Sequence, residues 1–304
     1  MKRIAYYFIF NIILFSGFAQ VEVGKTKNTI MGKGKIIGQI ENELIMDNFS
    51  ININLYAYGE DKGGGMGSST TSTVGVRTHL SEVDEPLAQE ISNEAYAYFV
   101  KSWGERGIEV IVPSKEEIEK SKNYAKANKK GKASINTGGT KETAEKKIHS
   151  IMAWPNDVNI AIAGEGPTGK TGNFQVMMWE LLAKNAGYTA FNSSINFMSF
   201  KTAKLGTTAS VTAIPQLTAA NVLTAGRWMK NKVGGYIGSN NPEGIEDFFT
   251  EVDKDGFDFL GSSSNDWNYI ADRSKFKSNV MDLIKKGMDD LFADYDQVVA
   301  DNKK

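Results

Sequence analysis

The run Gly164-Glu165-Gly166-Pro167-Thr168-Gly169-Lys170-Thr171 fits the phosphate-loop pattern G-x-x-x-x-G-K-[ST] in full. In that chemistry the backbone N–H groups of a glycine-rich turn cradle phosphates. Gly164 and Gly169 would let the chain approach closely, Lys170 would neutralise the outer phosphates, and Thr171 would hold magnesium. An apolar segment precedes the run and a helical pattern follows it. Other parts of the context are missing. No later apolar strand ends in an aspartate suited to magnesium. Gly172-Asn173 directly after Thr171 delays the helix that should begin inside the loop. The run is therefore read as a βα turn without a ligand, with nucleotide binding as the alternative, and no cofactor is expected.

Other reactive residues are sparse. The chain has two histidines, His79 and His149, and no cysteine. Thiolate catalysis and zinc–sulfur sites are thereby excluded. No G-x-S-x-G elbow supplies a serine nucleophile, and each histidine is read as solvated or structural. Glu251, Asp253, Asp255 and Gly256 resemble the opening of a calcium loop, yet Ser262 stands where its bidentate glutamate belongs and Asp258 where an apolar residue belongs. An acidic surface turn is the reading there, so no metal site is assigned. Asp266 and Trp267 suggest a glycan contact through a single aromatic ring. The expectation is a non-enzymatic protein, with glycan or calcium binding as further alternatives.

The elements that must position these residues follow from periodicity. Ile51, Ile53 and Leu55 alternate with Asn52, Asn54 and Tyr56, which makes a half-buried strand. A weaker alternation predicts exposed strands around 36–46. Asp84 caps a helix whose apolar face is Leu87, Ile91, Ala95, Tyr98, Phe99 and Trp103. Ile108–Val112 is a β-branched strand, and Ser114 with Glu117 forms a capping box for the next helix. Residues 157–163 read as a buried strand and 174–187 as a buried helix. Strands follow in 189–200, 207–214 and 221–229, with a short helix over 242–252. Phe276, Val280, Leu283, Ile284, Met288, Leu291 and Phe292 mark a long C-terminal amphipathic helix. Loops are expected near 60–73, 128–147 and 234–275. The predicted fold class is α/β (α+β): one domain over 20–304, with a mixed sheet and helices on its faces.

The first nineteen residues have another character. Lys2 and Arg3 precede an apolar stretch from Ile4 to Phe15, and Gly17 and Ala19 occupy the small-residue positions of a signal-peptidase site. The stretch is shorter than the roughly 20 residues of a spanning helix. A cleaved signal peptide over 1–19 and an exported protein starting near Gln20 are expected, with no membrane span after cleavage. Cleavage removes two basic residues and takes the formal charge from −1 to −3, which gives no reason to expect nucleic acid as a partner. A cysteine-free exported chain suits the bacterial periplasm or exterior and cannot be a lipoprotein.

The order of elements resembles a family of bacterial envelope α/β domains that includes the curli-secretion lipoprotein and the amino-terminal domain of the Tol translocation protein. The likeness is carried by the helix Leu87–Trp103, the strand Gly107–Val112, the capped helix after Ser114, the strand Val158–Ala163 and the strands after Thr189. It implies an assembly or accessory role without a catalytic site, and another envelope protein as partner. The missing lipidated cysteine departs from the lipoprotein members, and no functional residue carries over.

Overall fold

The computed structural model describes residues 42–63, 72–129, 133–145, 148–163, 187–205, 208–227, 237–238, 241–245, 248–254 and 266–302. The alternation around Ile51 produces β1 (Glu43–Asn54), which is buried for nearly all its length. It lies at the centre of a mixed sheet. On one side β1 runs parallel to β9 (Gly187–Leu205). On the other it is parallel to β4 (Glu109–Ile111) at its start and antiparallel to β7 (Ile148–Trp154) at its end. Beyond β9 comes β10 (Thr208–Arg227), its antiparallel partner along nearly its whole length. The short strands β11 (Ile237–Gly238) and β12 (Asn241–Ile245) continue that edge. Beyond β7 the sheet ends in β6 (Gly139–Glu145).

Helix α1 (Glu85–Gly104) forms as the sequence predicts. The Asp84 carboxylate accepts from the Leu87 N–H at 3.0 Å, and Pro86 occupies the first turn. Its apolar stripe meets the long C-terminal helix, here α4 (Arg273–Asn302). Pairs between them rise in step: Asp84 with Arg273, Glu90 with Lys277, Glu94 with Lys285, Tyr98 with Asp289, Arg106 with Asp296. The two helices therefore lie side by side and parallel. Their aromatic residues close over the sheet, with Phe49 5.3 Å from Tyr96 and 5.5 Å from Phe99, and Trp103 4.9 Å from Phe292. Gly287 lets α4 press onto β10, since a Cβ there would collide with the Asn221 amide.

Leu55 interrupts the first strand. After it, β2 (Tyr56–Gly63) leaves for a second sheet. There β3 (Ser72–Ser81) pairs antiparallel with β2 and parallel with β14 (Asp266–Ala271), which pairs antiparallel with β13 (Phe249–Lys254). A small third sheet joins β5 (Ala133–Asn136) to β8 (Ile160–Ala163). The short helices α2 (Lys115–Lys120) and α3 (Lys122–Asn128) follow β4, and the Ser114–Glu117 capping box is formed.

The predicted class, a mixed sheet with helices and a long C-terminal helix, is the one found. Five local expectations change. The basic segment 128–147, expected as a loop, contains β5 and β6. Strand β6 is an edge strand with exposed Lys141, Glu142 and Glu145, and edge strands carry charge because one side faces water. Residues 234–275, expected to be irregular, contribute β11 to β14. The helix expected over 242–252 is replaced by β12 and β13, because pairing with β10 and β14 outweighs local propensity. Three strands after Thr189 become two long ones, and the strand expected as exposed near 36–46 is the buried start of β1, from Glu43. Residues 1–41 lie outside the described residues, as do 174–186, where the second buried helix is expected.

Candidate functional site

Leu55 ties the two sheets together through its backbone. Its N–H donates to the His149 carbonyl at 2.8 Å, and its carbonyl accepts from the Leu80 N–H at 2.9 Å. His149 on β7 and His79 on β3, the residue before Leu80, are thereby brought to the same junction from opposite sheets. The second sheet sets the surroundings of His79. Its register places Tyr56, His79 and Asn268 in one rung, and Tyr58, Arg77 and Asp266 in the next. Side chains two apart on a strand share a face, so the two rungs present one polar surface.

Its anchor is the ion pair between Arg77 Nε and Asp266 Oδ1, at 2.6 Å. The carboxylate is 1% exposed and the guanidinium 28%. His79 is buried, with the Tyr56 ring 5.3 Å away. Burial, then the charges of His149 and Arg77, push the His79 imidazole down to about 4, so the ring is neutral at neutral pH. Burial, together with the negative charge of Asp266, raises the Tyr56 phenol, against the opposing effect of Arg77. His149 Nε2 lies 2.7 Å from Glu142 Oε1, and this half-exposed carboxylate can orient the ring. Tyr58 is 40% exposed at the outer end of the surface and donates to Glu60 at 2.9 Å.

At the far end of β1 from Leu55 sits a second buried ionisable group. Asp47 occupies the register shift between Met46 and Asn48, where β1 carries one more residue than β9. Burial lifts its carboxyl to about 7, and its negative charge adds to burial in raising the nearby Tyr188 phenol.

The structure sorts the residues singled out by the sequence. His79 and His149, far apart in the chain, are brought together. Asp266 is a buried ion-pair partner, and Trp267, on the opposite face of β14, packs against the core. Glu251 and Asp253 belong to the β13 ladder, an extended geometry unlike the start of a calcium loop, while Asp255 and Gly256 lie outside the described residues. Gly164, Gly169, Lys170 and Thr171 also lie outside them. The strand before that run, β8, does form, but its described partner is the antiparallel β5; the phosphate-binding βαβ unit requires a parallel partner. Among the described residues no group of three or more His, Cys, Asp or Glu is placed to hold a metal ion, and no helix is long and apolar enough to cross a membrane. Sequence reasoning missed Tyr56, Arg77 and Glu142. The polar alternation Arg77-x-His79 beside Asp266-x-Asn268 was the available signal, but only the register of β3 with β14 gives it meaning. Compared with known protein families, curated proteins and solved structures, the chain matches none.

Proposed function

We propose that this is an exported bacterial protein that works by contact with another envelope or secreted protein rather than by catalysis. One observation carries the contact reading: Arg77, held by the buried Asp266, stands in register with the exposed Tyr58 on a rigid sheet. Tyrosine and arginine dominate the energetics of protein interfaces, and pre-organisation lowers the entropic cost of using them. The export reading is supported by the basic and apolar leader with Gly17 and Ala19. The resemblance of its element order to envelope accessory domains supports both.

Three experiments test the proposal. Expression of the full chain in a bacterium should yield a periplasmic or external product whose intact mass begins at Gln20; an intracellular, unprocessed product overturns the export reading. A photo-crosslinking residue at position 58 should give one discrete adduct that weakens in Arg77→Ala, whereas the same probe at Lys101 should not. Equal adducts at both positions overturn the contact reading, and turnover by the purified protein overturns the non-enzymatic one.

The complete match at Gly164–Thr171, directly after a formed strand, favours nucleotide binding as the second reading. Thermal unfolding with Mg-ATP and Mg-GTP beside Lys170→Ala tests it, because a nucleotide at about 100 times its Kd adds about 2.7 kcal/mol.

A further inference from the structure

Helices α1 and α4 cover one face of the first sheet, where Phe49, Ile51, Phe191 and Ile195 are at most 1% exposed. The opposite face is polar. The register places Lys141, Met152, Asn52, Ser194 and Ala220 in one rung across five strands. Asn52, Asn54, Asn192, Ser194 and Asn196 are half-buried on this face. We infer that it binds an uncharged polypeptide segment in extended conformation, laid along β9 with its backbone carbonyls on the amides of Asn192 and Asn196. The surface belongs to a different sheet from Tyr58 and Arg77, and the inference stands whether or not that contact does.

Hydrogen bonds from β1 fix which way these amides point. Asn48 Nδ2 and Ser50 Oγ both donate to Asn192 Oδ1, at 2.5 and 2.8 Å. Asn54 Nδ2 donates to Asn196 Oδ1 at 2.6 Å, and Asn52 Nδ2 donates in turn to Asn54 Oδ1 at 3.2 Å. The oxygen of each β9 asparagine is thus taken by β1, and its NH2 group remains as a donor. Among the described residues no acceptor meets either NH2 group. Ser194 lies between them on the same face and adds a hydroxyl. Both amides are held in place before any ligand arrives, which lowers the entropic cost of using them.

Spacing and charge select the occupant. Same-face residues on a strand recur every about 6.6 Å, and so do the same-facing carbonyls of any extended polypeptide. A chain lying over β9 therefore meets Asn192, Ser194 and Asn196 with every second carbonyl. A polyproline II helix repeats at about 9.3 Å and misses that row. The row itself carries no charge, and the charged member of the rung is Lys141 on the edge strand. A charged occupant would lose hydration over β9 without gaining an ionic partner. The donors instead complement the partial negative charge of peptide carbonyls, and the rung offers no aromatic ring on which a sugar could stack.

Titration of the full chain with an end-capped peptide of twelve alternating threonines and serines tests the inference, read on the side-chain amide resonances. The NH2 signals of Asn192 and Asn196 should shift saturably, and a polyproline peptide of equal length should leave them in place. The double variant Asn192→Asp, Asn196→Asp keeps the oxygens that β1 uses and replaces both donors by acceptors. It should retain the circular dichroism of the unaltered chain and bind the peptide on the order of tenfold more weakly. No shift at millimolar peptide, an equal shift with polyproline, or undiminished binding by the double variant overturns the inference. A shift with maltoheptaose and not with the peptide overturns it in favour of a glycan, and a dimer that the double variant abolishes does so in favour of a second copy. If the double variant does not fold, Ser194→Tyr, which crowds the row and leaves the bonds from β1 in place, decides: full peptide affinity overturns the inference equally.

Discussion

The two halves of the core are closed by different materials. At one end α1 and α4 lay Phe99, Trp103, Phe292 and Tyr295 over Phe49 and Phe191. At the other, the second sheet closes the structure around Tyr269 and Phe197, and its polar face brings Tyr56, Arg77, His79 and Asp266 to the junction with His149. The helical end is aromatic, and its charged pairs lie on the surface between the helices. The sheet end buries an ion pair and a neutral imidazole. Helices satisfy their own backbone and need only an apolar stripe to dock. A second sheet brings in strands with two faces, and here the polar face is partly buried as well. Acidification should therefore weaken the second half more than the first.

The largest expected effect tests the helical end. Trp103→Ala removes a ring with no exposed surface and should cost about 3–5 kcal/mol. Denaturant unfolding should show nearly the same loss at pH 5 and pH 8. A loss that varies strongly with pH would break the contrast between the halves.

Next comes the ion pair at the sheet end. Asp266→Ala leaves Arg77 beside a cavity without its carboxylate. Because the guanidinium is 28% exposed and can reach water, the cost should be about 2–3 kcal/mol, toward the low end for a broken buried pair. Combining Arg77→Met with Asp266→Leu should recover most of it. If the double variant is as unstable as the single one, the pair is not what holds that end.

The folded-state pKa of His79 lies below its unfolded value of 6.5, so its contribution is present above pH 6.5 and is lost as pH falls toward 4. Asp47 has the opposite sign: its folded value of about 7 lies above 3.8, so its contribution is present at low pH and is lost as pH rises through 7. The two oppose each other between pH 4 and 7. Asp47→Asn should therefore steepen the loss of stability on acidification, and His79→Phe should flatten or reverse it. Melting temperatures at half-unit pH steps check both, and parallel curves for all three proteins would remove the titrations from the account.

The smallest effect lies at the helix surface. Asp84→Ala removes the α1 cap and one partner of Arg273, and should cost about 1 kcal/mol. A loss above about 2 kcal/mol would show that the helix-to-helix charge pairs contribute more to that end than exposed pairs normally do.

Much of the helical end was legible in the chain. The cap at Asp84, the stripe from Leu87 to Trp103 and the stripe from Phe276 onward need only spacing to be recognised, because a helix is periodic in its own sequence. The sheet end was legible only in pieces. The β6 segment reads as a basic loop, since Lys141 and Glu142 show no apolar side until β7 pairs with it. Residues 249–254 read as the end of a short helix and an irregular stretch because β14 supplies their ladder from beyond the intervening segment. His79 and His149 read as separate because nothing in the sequence between them indicates that Leu55 bonds next to one and to the other.

The sequence by itself determined the two long amphipathic helices, the alternating first strand, and that thiol chemistry is absent. The tertiary structure decided which strands become neighbours, and hence that Arg77 meets Asp266 and that two histidines share one junction. The physical reason is range. Helical periodicity and capping act over three or four residues, whereas strand pairing joins residues of any separation, and the burial that reshapes His79 and Asp47 exists only once those strands have met.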